Sequence, residues 1–234
     1  MLTVAGLNAW YGSSHVLQGI DLEVRAGEIV CLIGRNGAGK TTTLKSIMGL
    51  IPRTTGRIAF DGTDLRGRPA QARYRAGLAY VPEERRIVPG LTVRENLSLG
   101  LVASPLKRRE AELIDRTRRI FPRLAERLEQ TAITMSGGEQ QMLAIARAMI
   151  AEPKLIMMDE PSEGIMPVLV DEMFELFRSM KSEGQTILLV EQNVELALGI
   201  ADRAYVIDQG VVVHEASGAE LLADAEIQER YCSV

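Results

Sequence analysis

The sequence predicts an α/β fold in which a mostly parallel sheet is covered by helices and interrupted by an inserted helical subdomain. Three observations predict it. Short apolar runs bounded by Gly, Asp and Pro alternate with helical patterns, the order that parallel strands with helical crossovers require. One stretch, from about Thr92 to Leu128, breaks that order: it is helical, rich in Arg and Glu, and holds no convincing strand. A glycine-rich loop joins the apolar run "EIVCLI" to a helix, the context of a phosphate-binding turn.

Taken in order, "LTVAGL", "IDLEV", "EIVCLIG" and "GRIAFDG" read as strands broken by Gly and Asp turns. A helix follows Gly39, with Leu44, Ile47, Met48 and Leu50 expected on its apolar side. "GLAYVP" is a short strand stopped by Pro82. The helical insertion comes next, and a helix runs from Ser136 to about Ile150. The strand "KLIMMDE", the helix "PVLVDEMFELFRSMKSEG" and the strand "TILLVE" follow. Strands "RAYVIDQ" and "VVVHEA" precede a short helical tail. There is no internal repeat, low-complexity segment or long linker.

Composition narrows the class. The 234 residues suit one large domain or one domain with an insertion. Hydrophobic residues make up 46% and aromatics 4%, so the core is aliphatic. A net charge of −4 argues against general nucleic-acid binding and offers no attraction to an anionic leaflet. Cys31 and Cys232 make no disulfide framework, and Cys31, inside an apolar strand, reads as a buried thiol. The first residues show no basic region leading into an apolar run, so no signal peptide is expected. No apolar run reaches the ~18 residues of a spanning helix. The expected setting is soluble and cytoplasmic.

The chain carries two anion cradles of different design. Gly34, Arg35, Asn36, Gly37, Ala38, Gly39, Lys40, Thr41 and Thr42 fit the phosphate loop of Gly, four residues, Gly-Lys-Thr. Backbone N–H groups would wrap phosphates, Lys40 would reach the β and γ groups, and the Thr41 hydroxyl would ligate Mg²⁺. The apolar strand "LIMMDE" ends on Asp159 and Glu160; Asp159 suits the shell of Mg²⁺ and Glu160 suits activation of water. The second cradle, "TMSGGEQQM", opens a helix with Ser136, Gly137 and Gly138, where N–H groups and the dipole favour an anion. Ser136 and Glu139 also fit a plain capping box.

The phosphate loop, "MSGGEQ" and "LIMMDEP", in this order, resemble the ATP-binding cassette family over nearly the whole chain. The resemblance implies a P-loop NTPase core with an antiparallel β subdomain. Residues 1–86 and 151–234 would form the RecA-like core with that β subdomain, and about 87–150 the helical subdomain with the signature helix. It implies ATP and Mg²⁺ as cofactors. Two cassettes would face head to tail, with Ser136, Gly137, Gly138 and Glu139 of one completing in trans the site built on Lys40 of the other. Tyr11 in "AWYGS" matches the aromatic that stacks on adenine; a half-buried aromatic at a strand end is the lesser alternative. Met135 stands for the usual leucine. Glu83 stands where most cassettes have a glutamine that contacts Mg²⁺; it is also simply a charged residue in an exposed loop. Gln192 stands where the family often has a histidine. Its amide can donate to a γ-phosphate but cannot shuttle a proton, so Glu160 carries more of the water activation.

"YVPEERR", "LTVRENL", "SEGIMP" and "LLVEQN" together are similar to an ATP-binding subunit of bacterial branched-chain amino acid importers. Urea and short-chain amide importers look much alike, and a soluble cassette acting on DNA or the ribosome is a further alternative. That last kind tends to have tandem cassettes, coiled-coil insertions or basic tails, and none is visible. The implied partners are a second copy or a paralogous cassette, two integral-membrane permease subunits and, indirectly, a periplasmic or surface substrate-binding protein. Nucleic acid is not among them. The implied location is the cytoplasmic face of the inner membrane, held through the permeases. Docking is expected from Glu83 through the insertion, with "LTVRENLSL" in that surface, although Leu97 and Leu99 also fit a helix packed on the core.

Overall fold

A computed structural model describes residues 1–231, so Cys232 lies outside the described residues. Strands β1 (Leu2–Tyr11) and β2 (Ser14–Val24) form a hairpin, and β3 (Ile29–Ile33) is buried at every position. Helix α1 (Lys40–Met48) leaves the glycine-rich loop and stops at Gly49, whose left-handed conformation lets its N–H bond back to Lys45 and Ser46. Leu50 therefore lies beyond the helix and is 49% exposed, which corrects its assignment to the apolar side. Strands β4 (Arg53–Phe60) and β5 (Thr63–Asp64), helix α2 (Ala70–Arg75) and strand β6 (Leu78–Val81) follow.

The inserted segment holds α3 (Val93–Leu99), α4 (Glu110–Ile120) and α5 (Pro122–Ala125), with 3₁₀ turns at Pro105–Arg109 and Ala132–Thr134. Then come α6 (Gly137–Met149), β7 (Leu155–Asp159), α7 (Pro167–Ser182), β8 (Thr186–Val190) and α8 (Val194–Leu198). The chain closes with β9 (Arg203–Asp208), β10 (Val211–Ser217), α9 (Gly218–Ala223) and α10 (Ala225–Tyr231). Helices α2 and α8 span six and five residues, too few for a helical period to show in sequence. Among the described residues no helix is long and apolar enough to cross a membrane.

Two sheets result. The larger has the order β10-β9-β3-β8-β7-β6, parallel from β9 to β6, with β10 antiparallel at its edge. The smaller is antiparallel, in the order β2-β1-β4-β5. Alternation along the central strands divides the interior. Ile29, Cys31, Ile156, Met158, Ile187 and Leu189 pack with Leu143 of α6 and Phe174 and Phe177 of α7. Val30, Leu32, Leu155, Met157, Leu188 and Val190 pack on the other face with Leu44 and Ile47 of α1 and with Leu2, Leu7 and Leu17 of the smaller sheet. Strands covered on both faces read as continuous apolar runs for this reason. Cys31 is fully buried, and that burial pushes its thiol pKa up. In α3, Leu97 is buried while Leu99 is 39% exposed.

One buried cation joins α1 to the segment after the smaller sheet. Arg73 of α2 is 6% exposed. Its guanidinium donates to the carbonyls of Ser46 (3.0 Å) and Ile47 (2.6 Å) in the last turn of α1, and to Leu65 (3.0 Å) and Arg68 (2.9 Å). The Ser46 and Ile47 carbonyls stand at the negative end of the α1 dipole, and those of Leu65 and Arg68 belong to the connection leading into α2. Arg73→Ala should lower stability by about 3 kcal/mol or more, because charge-assisted bonds are lost and buried carbonyls are left bare. In a thermal melt that is a fall of roughly 6–12 °C. Arg73→Lys should recover only a minor part, since one ammonium cannot span four carbonyls. A fall below about 2 °C for the alanine variant would remove this role from Arg73.

Candidate functional site

The loop after β3 takes its shape from what lies behind it. Gly34 has φ 144°, and a Cβ there would sit 2.1 Å from the carbonyl oxygen of Ile207, where β9 ends. Gly39 has φ 114°, and its Cβ would meet Leu17 of β2 at 2.7 Å. Gly210 ties both neighbours to the loop: its N–H donates to Ala38 O (2.9 Å) and its carbonyl accepts from Gln18 N–H (2.8 Å). Ala38 is buried while Arg35, Asn36 and Gly37 form the exposed crest. Lys40 is 4% exposed, and its ammonium donates to Gly34 O (2.7 Å) and Arg35 O (3.1 Å), across the mouth of the loop. Thr42, two residues past the helix start, is buried at 7% exposure.

Consecutive residues at the start of α1 meet consecutive residues at the end of β7. The Thr41 hydroxyl donates to Asp159 Oδ1 at 2.8 Å, and the Tyr80 hydroxyl donates to Asp159 Oδ2 at 2.8 Å. The Lys40 ammonium lies 3.9 Å from Glu160 Oε1. The Gln192 amide donates to Glu160 Oε2 at 2.5 Å. Both carboxylates are buried, Asp159 at 1% and Glu160 at 8% exposure, and burial raises the pKa of each above the ordinary carboxylate value. Donors from Thr41 and Tyr80 work against that rise at Asp159; Gln192 and Lys40 do so at Glu160. Glu160 has φ +46°, an uncommon backbone state for a residue with a side chain.

Glu83 follows β6 in an exposed loop. Its carboxylate comes within 4.8 Å of those of Glu160 and Glu163, on the Glu160 side of the site. Burial first, then repulsion from Glu163 and Asp159, raises its pKa. The Thr41 hydroxyl and the Asp159 carboxylate are hard oxygen donors on a buried anchor, the chemistry that Mg²⁺ takes. The loop N–H groups, Lys40 and the α1 N-terminus suit the phosphates of a nucleotide.

Tyr11 ends β1 opposite Ser14 and is 48% exposed. The second cradle belongs to a different neighbourhood. Ser136 caps α6 in a capping box: its Oγ accepts from Glu139 N–H (3.3 Å), and Glu139 Oε2 accepts from Ser136 N–H (2.9 Å). Arg127 pairs with Glu139 at 3.2 Å. A Cβ on Gly138 would strike Leu169 of α7 at 2.3 Å, and one on Gly137 would lie 2.8 Å from the Arg85 guanidinium. The glycine at 138 is thus demanded by packing on α7.

Two members of the site went unassigned in the sequence. Tyr80, inside the strand "GLAYVP", holds the second oxygen of Asp159. Glu191 ends "TILLVE" and is 1% exposed; its carboxylate accepts from Ser162 N–H (3.0 Å), Ser162 Oγ–H (2.7 Å) and Gln192 N–H (3.2 Å). The available signal was the one that marked Asp159, an acid at the end of a buried strand.

The family model described as ABC transporter matches residues 17–163. The chain is 43% identical over 231 residues to the high-affinity branched-chain amino acid transport ATP-binding protein BraG of Pseudomonas aeruginosa, covering 99% of each chain. It is 34% identical to the lipopolysaccharide export system ATP-binding protein LptB of Escherichia coli, over 98% of this chain and 96% of that one. Among solved structures, an ATP binding subunit of an ABC transporter superposes with a TM-score of 0.84 at 32% identity, covering 98% of this chain and 97% of that one.

The loop geometry separates two glycine substitutions. Gly34→Ala drives a methyl into Ile207 O, whereas Gly37, at φ 80°, has nothing within 4 Å of its would-be Cβ. Gly37→Ala should cost only the left-handed backbone penalty, about 1–2 kcal/mol. Gly34→Ala should destabilise more and weaken nucleotide binding further, read by melting and titration calorimetry. The reverse order would overturn the packing account of Gly34.

Proposed function

The chain belongs to the ATP-binding cassette transporter family and is a transport-coupled ATP hydrolase, and on that footing we propose that it is the motor subunit of a bacterial importer of branched-chain amino acids. The observation that carries the substrate class is the full-length, 43% identity to a branched-chain amino acid transport ATP-binding protein. "YVPEERR" and "LLVEQN" point the same way. An export role has one observation in its favour, the 34% identity to a lipopolysaccharide export ATP-binding protein.

In this reading residues 1–234 act as one cassette. The segment 34–42, with Lys40 in it, binds the phosphates of ATP, and Tyr11 stacks on the base. Thr41 and Asp159, with Glu83 nearby, would hold Mg²⁺, which would supply neutralisation of phosphate charge. Glu160 accepts a proton from the attacking water at its carboxylate. Gln192 orients that carboxylate, and its amide would donate to the γ-phosphate. Ser136, Gly137 and Gly138 act in trans, completing the site of a second cassette, either another copy or a paralogue. Two permease subunits hold the assembly on the cytoplasmic face of the membrane, and a substrate-binding protein acts through them. A groove of about 410 Å³ supports a docking role for this side: it is lined by Leu50, Tyr74, Leu99 and Val102, of which Leu50, Leu99 and Val102 are exposed.

Reconstitution with candidate permeases in proteoliposomes tests the reading. A binding protein loaded with leucine, isoleucine or valine should stimulate ATP hydrolysis. Stimulation by urea or a short-chain amide instead would reassign the substrate, and lipopolysaccharide release would reverse the direction.

Glu160→Gln should keep ATP affinity, lose hydrolysis by at least ~100-fold, and hold an ATP-dependent dimer on gel filtration. Hydrolysis at the parent rate would remove the base role from Glu160. The pH profile tests the same residue independently. Burial raises its pKa and the Gln192 hydrogen bond lowers it, so the charged base is lost at a higher pH than for an ordinary carboxylate. The acid limb of kcat/KM should lie correspondingly high, and Gln192→Ala should move it higher still. A limb that moves down in that variant contradicts the assignment.

A further inference from the structure

Strands β7 and β8 run parallel with Asp159 beside Val190, so the chain leaves both strands at adjacent points. The N–H of Glu160 donates to Val190 O at 2.8 Å, which keeps the two exits together for one residue more. Beyond that, backbone pairing ends and one side chain takes over. Glu191 is 1% exposed, and its carboxylate is held by three neutral donors: Ser162 N–H, Ser162 Oγ–H and Gln192 N–H. A carboxylate in such a place is strongly disfavoured unless its oxygens are satisfied.

The contacts form a closed circuit. Glu160 is joined through Pro161 to Ser162, Ser162 is hydrogen-bonded to Glu191, and Glu191 is followed by Gln192. The Gln192 amide returns to Glu160 Oε2 at 2.5 Å. Glu163, Gly164, Met166 and Val168 in and just beyond this loop are exposed, and its apolar anchors are Pro161 and Ile165. We propose that Glu191 is a positioning residue for hydrolysis, latching the Ser162 loop to the Gln192 backbone so that the Gln192 amide stays on Glu160. The inference rests on the reading of Glu160 and Gln192 given above.

Glu191→Gln keeps the size and removes the second acceptor. Whichever way its amide turns, an NH₂ faces either Ser162 N–H or Gln192 N–H. Steady-state hydrolysis of Mg-ATP by the full chain should lose ~10-fold or more in kcat, the weight of a charged hydrogen bond, with KM for ATP within about 2-fold. Ser162→Ala should lower kcat in the same direction by a smaller factor. The distinguishing measurement is made in a Gln192→Ala background. If Glu191 acts through Gln192, either change should there lower kcat by less than about 2-fold more. Equal losses in both backgrounds would make Glu191 a general stabiliser and overturn the inference. So would parental kcat in both Glu191→Gln and Ser162→Ala while Gln192→Ala is impaired, leaving the reading of Gln192 intact. Parental kcat in Gln192→Ala alone would bring down that reading, and the inference with it. If Glu191→Gln fails to fold, Ser162→Ala, at a partly exposed position, carries the same comparison.

Discussion

The hydrogen bond from Thr41 to Asp159 joins residues 118 apart in sequence, and the rest of the site is arranged around it. Asp159 ends a strand that is buried at every position, so its carboxylate has no water to turn to and needs donors from the protein. Thr41 takes one oxygen and Tyr80 the other. Together they lock the first turn of α1 and the end of β6 to the end of β7. Lys40 and Glu160, each one residue along from that bond, are brought to within 3.9 Å as a result. Tyr80 keeps its proton because burial and the adjacent Asp159 charge both push its pKa up.

The sheet supplies the frame for that bond. Its central strands are covered on both faces, and the alternation that splits them between two apolar clusters also sets their height relative to one another. Strand register therefore controls where the acids emerge: Asp159 stands beside Val190, and Glu160 and Glu191 follow at the same edge. At the other end of α1, Arg73 holds the last carbonyls. Behind the loop, Gly210 links it to β2, which carries the hairpin bearing Tyr11. A helix fixed at both ends and a loop backed by two strands make a rigid platform, the condition for electrostatic preorganisation around phosphates.

The departures from the family pattern fall at the edge of this platform. A glutamine at 192 keeps a donor on Glu160 but has no titratable proton to exchange, so the basicity of the pair resides in Glu160 alone. That residue combines burial, a raised pKa and a left-handed backbone, and it is held in place by partners on three sides: Val190, Gln192 and Lys40. Glu83 adds a further carboxylate beside Glu160 and Glu163, a concentration of negative charge that favours a cation nearby.

By itself the sequence determined the class of fold, the strand–loop–helix around Lys40, the apolar strand ending at Asp159 and Glu160, the capping box at Ser136, and the helical character of the insertion. Each of these is written locally, as a period, a spacing or a stop such as Pro82, and local chemistry is sufficient to form it. Tertiary structure decided what depends on distant backbone. Leu50 looked like a fourth apolar contact of α1, but Gly49 turns the chain before it. Gly34 and Gly138 looked like parts of two cradles, and the space that forbids a side chain at each is set by Ile207 and Leu169, far along the chain. Tyr80 carried no pattern of its own, and Glu191 carried only the mark it shares with Asp159, an acid closing a buried strand. Their roles exist only because β6, β7 and β8 lie side by side, bringing a phenol to Asp159 and a serine to Glu191, and pairing across parallel strands leaves no mark in the spacing of either residue.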